Sequence, residues 1–346
     1  MISKAWRAIG LGVLGVVGAI AAVVYAQRDI PASVLEAEYA RPPSKFVLVD
    51  GVRLHYRDEG HGPTVVLIHG QFDSLLMWEP WAAALKEQYR VVRFDLTSHG
   101  LTGPDATGDY SIERTVALLE DFADKLDLGK FSIAGSAMGG TAAVYYAARH
   151  PERVDRLILI SPEGVGLRAT PEHASLISTS PVFDVLAYTA PRVFAAGLLR
   201  NGFANPSRVT DQLVEERYEL LRRAGNRRGE LARIRQFDPS DLDARVRALR
   251  SPVLVMLGEK GMRANARSPD ELRRAFLHAR SVRIDVIRGA GNMAVQEEPE
   301  GTARSAREFL DAGHDKAPDP QQKRDPRFDR EDDDLPMDSV YVTRAA

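Results

Sequence analysis

Residues 133–140 read IAGSAMGG, and the fold turns on how this stretch is parsed. The apolar run up to Gly135 has the length of a buried strand, and residues 138–150 have the length and composition of a helix. A strand that passes into a helix through so short a turn can hold one residue at a strained apex with φ > 0. The residues two before and two after that apex must then be small. Gly135 and Gly139 meet this demand when the apex is Ala137. If Ser136 were the apex, Met138 would fill the second small position and clash. The register therefore puts Ala137 at the apex and leaves Ser136 one residue early.

Working outward, residues 46–60 read as a hairpin turned at Asp50-Gly51, a dipeptide suited to a tight turn. TVVLIH at 64–69 and RVVRFD at 90–95 read as strands, with helical spacing over 79–89 between them. Ser111 is an N-cap for a helix through Leu126. RLILIS at 156–161 is a further strand, and the strand–helix alternation resumes at 252–258, 269–279, 281–287 and 300–310. Such alternation implies an α/β fold with a mostly parallel central sheet and helices on both faces. Residues 166–250 show helical segments and no strand, which reads as an inserted helical cap above the carboxyl ends of the strands, where such sheets bind ligands.

The chain has 346 residues, 44% of them apolar and 27% charged, a formal net charge of −2 and no cysteine. These values suit a globular protein, give no basic footprint for nucleic acid, and exclude disulfides, thiolate metal sites and cysteine nucleophiles. Residues 8–26 carry no charge and as a helix would span roughly 28 Å, about a bilayer core. They read as a transmembrane signal-anchor, or else as a signal peptide cleaved near residues 24–26, after which the chain would be secreted; the length of the run favours the anchor. Lys4 and Arg7 before it place the following domain outside the cytoplasm, on the periplasmic side. The expected organisation is an anchor over 1–27, a linker over 28–45, an α/β core over 46–165 and 251–311 with the cap between, and a charged, disordered tail over 312–346.

Several blocks together carry a family resemblance: His69-Gly70-Gln71 after a strand, FDLTSHGLTGP at 94–104, GSAMGG at 135–140, VLVMLGEKG at 253–261 and GAGNMAVQEEPE at 289–300. In this order the chain resembles the α/β-hydrolase superfamily, and within it the single-span, membrane-anchored bacterial members. Ser98 stands where the second block of the family has its first glycine.

The resemblance implies a nucleophile, an acid and a histidine in that chain order. The matching positions hold Ala137, Gly261 and Asn292. None of these side chains can attack a carbonyl, orient an imidazole or take a proton at neutral pH. The oxyanion hole that the family builds from backbone N–H groups would use Gln71 and Met138. Glu163 is an alternative acid, one strand earlier, whose plainer reading is a loop residue. His69 reads as packing within the oxyanion loop, and His99 as a residue able to face the cavity. Trp78 and Trp81, after the oxyanion loop, suggest that a pocket is still built.

The resulting expectation is a pseudo-hydrolase related to serine ester hydrolases, anchored in a membrane and binding a small apolar ligand or a protein partner. No metal or organic cofactor is implied. The alternative is an active hydrolase of esters using Ser136 or Ser98 with His99 and Glu163. A third origin for the same residues is a knockout of a normal serine hydrolase, although loss of selection explains Gly261 and Asn292 better than design does.

Overall fold

The computed structural model describes residues 27–165, 188–261 and 269–312, with Gly18, Tyr25 and Asp184. Most of the expected anchor, the first part of the cap and nearly all of the tail lie outside the described residues. Among the described residues no helix is long and apolar enough to cross a membrane.

Eight strands form one sheet. They are β1 (Ser44–Val49), β2 (Val52–Glu59), β3 (Thr64–Ile68), β4 (Arg90–Phe94), β5 (Phe131–Ser136), β6 (Val154–Ile160), β7 (Val253–Gly258) and β8 (Val282–Ile287). Their spatial order is β1-β2-β4-β3-β5-β6-β7-β8. β1 and β2 form the hairpin expected at Asp50-Gly51, with both turn residues at positive φ. β2 runs antiparallel to β4, and every later pairing is parallel.

The two-residue period of the strands divides the core. Val66 and Ile68, Leu157 and Leu159, and Val253 and Val255 face one apolar cluster. Val65 and Leu67, Ile158 and Ile160, and Leu254 and Met256 face the other. Both faces are covered, which is why these strands read as continuous apolar runs. Four helices follow in the first half of the chain: α1 (Ala32–Tyr39), α2 (Glu79–Leu85), α3 (Ile112–Lys125) and α4 (Met138–Arg149). The second half adds α5 (Arg192–Gly202), α6 (Asp211–Leu221), α7 (Asn226–Gln236), α8 (Leu242–Ala248), α9 (Pro269–Ala275), α10 (Ala294–Glu297) and α11 (Pro299–Asp311). Helices α3, α4, α8 and α9 cover one face of the sheet, and α2, α10 and α11 the other. Ser111 caps α3 as expected, accepting from the Arg114 N–H.

Three expectations shift. Trp78 and Trp81 are fully buried, packed edge to face at 5.0 Å between ring centroids, and the Trp81 indole N–H donates to Thr302 Oγ1. They belong to the core beneath α11 rather than to a pocket wall. Leu242 and Val246 of α8 and the following Leu249 recur at helical spacing and pack into the core cluster of α4, so the end of the 166–250 stretch is core and not cap. Finally, the stretch read as a linker holds α1. Around it, Ile30 exchanges backbone hydrogen bonds with Arg222 and Ala224, Asp29 pairs with Arg227, and Tyr39 donates to Glu219.

Candidate active site

The turn from β5 into α4 sets the geometry of the site. Ala137 has φ 48° and ψ −119° and is the residue before the first turn of α4. An L residue rarely adopts that conformation without strain. It is held there because the Ala137 N–H donates to the Ile160 carbonyl at 2.9 Å, while the Ala137 carbonyl accepts from Gly140 and Glu163. A Cβ on Gly135 would come under 3.0 Å from the Gly139 and Gly140 backbone, and one on Gly139 would come under 3.0 Å from the backbone of Ile68 and His69. Both glycines are therefore required by an apex at 137. Ser136 is the last residue of β5, in register with Ile160, and is buried.

The loop after β3 crosses the apex. A Cβ on Gly70 would meet the Ala137 methyl at 3.2 Å. Gln71, next in that loop, and Met138, the first residue of α4, are the two expected oxyanion donors, and among the described residues no acceptor is seen for the backbone N–H of either. His69 is locked as a structural residue. Its Nδ1 lies 2.7 Å from the Gly70 carbonyl, and its Nε2 accepts from the Leu96 N–H at 3.0 Å. Burial, reinforced by the neighbouring His99, pushes its pKa down to about 3, so the ring stays neutral.

The loops after β7 and β8 bring the acid and histidine positions together. The Lys260 N–H donates to the Ala290 carbonyl and the Glu259 N–H to that of Ile287. A Cβ on Gly261 would fall under 3.0 Å from Asn292 Oδ1. Glu297, five residues after Asn292, accepts from the N–H groups of Gly291, Ala204 and Asn205 at 2.5, 2.8 and 3.0 Å. It ties the loop after β8 to the end of α5. The scaffold for an acid–imidazole pair is thus present, but a hydrogen atom and an exposed carboxamide occupy it.

Charge collects on the other side of the apex. His99 Nε2 lies 2.7 Å from Glu230 Oε2 of α7, with both residues almost fully buried. Burial alone would raise the Glu230 pKa, but His99 and Arg233 hold it below the ordinary carboxylate range. Glu163 keeps some exposure as a residue, yet its carboxyl is desolvated beside Glu230, and its pKa is pushed up to about 7 by burial first and by Glu230 second. Asp73 pairs with Arg217 of α6 at 2.9 Å. A cavity of about 10 Å³, room for one water, lies among Phe72, Ser98, His99, Arg217, Asn226 and Glu230. A second of about 10 Å³ lies between Leu96, Tyr110, Met138, Ala142 and Phe237. Among the described residues no group of His, Asp or Glu side chains is arranged to hold a metal ion.

Ser98 takes φ 66°, the conformation for which a glycine is the usual residue. Its hydroxyl stands against Gly229 of α7, where a Cβ would clash with it. Among the described residues neither Ser98 nor Ser136 meets a histidine in a hydrogen bond, so the alternative grouping with His99 and Glu163 is not assembled as a triad in this structure. The sequence reading passed over His55 and Ser44. One histidine in an alternating strand carries no signal by itself, and the cross-strand register that gives His55 its neighbours is invisible in a linear pattern.

The family model described as "alpha/beta hydrolase fold" matches residues 63–295. An uncharacterized protein of Mycobacterium tuberculosis is 35% identical over 128 residues, a stretch that covers 37% of this chain and 37% of that protein. A 2-hydroxy-6-oxo-6-(2'-aminophenyl)hexa-2,4-dienoic acid hydrolase of Metapseudomonas resinovorans is 26% identical over 284 residues, covering 77% of this chain and 90% of that enzyme. A solved structure of a bacterial membrane phospholipase A superposes with a TM-score of 0.67 at 25% identity, covering 89% of this chain and 99% of the other. The matched span includes the strained apex at Ala137, the oxyanion loop and the β7 and β8 loops, and it shows that the chain belongs to the α/β hydrolase fold family.

Proposed function

We propose that this chain is a hydrolase-fold protein whose elbow has lost acyl transfer, and that it holds a small apolar ligand or a partner at a membrane instead of turning it over. The observation that carries this reading is a mismatch between scaffold and chemistry. Positive φ at position 137, the small Gly135 and Gly139, two N–H groups without acceptors among the described residues, and the loop clamp by Glu297 are what a triad would use. The three side chains they would serve are Ala137, Gly261 and Asn292. In a serine hydrolase, losing the triad costs about 2 × 10⁶ in turnover, roughly 8–9 kcal/mol of barrier, and backbone donors and binding leave only about 10³–10⁴ over water.

The apolar side of the site, between Met138, Ala142 and Phe237, is where such a ligand would enter. Arg233 of α7 lines that side as well. The uncharged run over residues 8–26 and the likeness to a membrane phospholipase support anchoring with the domain outside the cytoplasm.

The test is thermal stabilisation of the full chain in detergent by a homologous series of n-alkanols, with and without Ala142→Phe. We expect the midpoint to rise with chain length and the rise to vanish in Ala142→Phe. No stabilisation by any alkanol, or stabilisation unaffected by Ala142→Phe, contradicts an apolar ligand at this site.

A further inference from the structure

A Ser–His–Asp arrangement exists in this chain, away from the elbow. The β1–β2 register sets Ser44 opposite Arg57 and Phe46 opposite His55. Ser44 and His55 are thus diagonal neighbours on one face of the hairpin. Ser44 Oγ lies 2.9 Å from His55 Nε2, and His55 Nδ1 lies 2.7 Å from Asp95 Oδ2. Asp95 follows β4 and is fixed from both sides: the Leu75 N–H donates to Oδ1 at 2.7 Å and the Leu101 N–H to Oδ2 at 2.8 Å. Burial would raise its pKa, but His55 first, and also the Leu75 N–H, keep it below the ordinary range. An ionised Asp95 selects the tautomer with the proton on Nδ1, which leaves Nε2 as the acceptor for the Ser44 hydroxyl. Arg57 Nε donates to Ser44 Oγ at 3.1 Å. His55 and Asp95 are nearly fully buried, while Ser44 is only half-buried.

This is the relation that activates a nucleophile: a hydroxyl within hydrogen-bond reach of a base, and the base oriented by a third group. Ser44 keeps part of its surface open and carries a cationic donor on its oxygen. We propose that Ser44, His55 and Asp95 form a second nucleophilic site, which accepts acyl groups from small activated carboxylic esters. Ser44 Oγ bonds to the carbonyl carbon and passes its proton to His55 Nε2. The ester C–O bond breaks, and the leaving oxygen takes that proton from His55. Water then attacks the acyl-serine, gives a proton to His55, and releases the carboxylic acid as Ser44 recovers the proton. Asp95 stays ionised throughout. Arg57 Nε, which donates to Ser44 Oγ, favours the hydroxyl oxygen as its proton passes to His55.

The experiment treats the full chain with a fluorophosphonate, which modifies activated serines, and locates the adduct by peptide mass spectrometry. The expected adduct is on Ser44, forming about 10²-fold faster than on any other serine, in line with a positioned base. It is absent in Ser44→Ala, and it returns as a thiol adduct of an activated ester in Ser44→Cys. Ser44→Ala removes only a half-buried hydroxyl at a strand start, and an unchanged circular dichroism spectrum certifies that the comparison is between folded proteins. Labelling spread evenly over surface serines, or unchanged by Ser44→Ala, overturns the proposal. An adduct on Ser136 overturns it too, and would also contradict the silent elbow, whereas an unlabelled protein contradicts the Ser44 site alone.

Discussion

Replacing Ala137 with glycine should stabilise this protein. Ala137 sits at φ 48°, ψ −119°, a region that costs a non-glycine residue about 1–3 kcal/mol. Glycine adopts it freely, but its greater freedom in the unfolded chain costs about 0.4–1 kcal/mol. The partly exposed methyl makes a small favourable contribution that is lost as well. The balance is a gain of about 0.5–2 kcal/mol, which in a chain of this size raises the melting midpoint by about 1–4 °C. A catalytic serine would justify such strain, whereas an alanine has no chemistry to repay it. Scanning calorimetry of Ala137→Gly against Ser136→Gly makes the comparison internal. Ser136 ends a strand, where glycine is destabilising by roughly 0.5–1 kcal/mol. If Ala137→Gly lowers the midpoint as much as Ser136→Gly does, the apex is not strained and the register is wrong.

Gly139→Ala should cost several kcal/mol or prevent folding, because the atoms nearest its Cβ would be backbone atoms of Ile68 and His69. Gly261→Ala should cost less than about 1 kcal/mol, because its Cβ meets the end of the exposed Asn292 side chain, which can turn away; urea unfolding of the two variants checks the contrast. Glu163 has its folded pKa raised from 4.5 to about 7, so folding favours its protonated form. The associated stability is fully present below about pH 4.5 and is lost as the pH rises through 7. Chemical denaturation across this range should show Glu163→Gln gaining on the unsubstituted chain by about 1–3 kcal/mol, and parallel pH profiles would show that the carboxyl is not desolvated.

The alternation of apolar runs with helical spacing made the sheet legible, because strands buried on both faces, such as β3 and β6, have no polar partner to blur the pattern. The apex was legible because Gly135 and Gly139 bracket a single position. What stayed hidden depends on contacts between distant segments. Nothing local in RLHYR says that His55 reaches Ser44 across a hairpin and Asp95 across the next strand. Glu230 and Arg233 read as an ordinary charged helix face, yet α7 turns them inward, with Glu230 against His99 and Arg233 against Thr97. Trp78 and Trp81 follow the oxyanion loop in sequence, but their rings pack down onto α11 rather than up towards the site. The 28–45 stretch, rich in proline, reads as a linker because its anchors, Arg222, Ala224 and Arg227, lie nearly two hundred residues away.

The most direct test is hydrolysis of p-nitrophenyl esters by the full chain carrying Ala137→Ser, Gly261→Asp and Asn292→His, compared with the chain lacking them. Both proteins also carry Ser44→Ala, so that only the elbow is read. We expect the unreverted protein to stay at the background rate and the reverted one to exceed it by about 10³-fold or more. Turnover by the unreverted protein that Ser136→Ala abolishes would contradict a silent elbow with Ala137 at its apex.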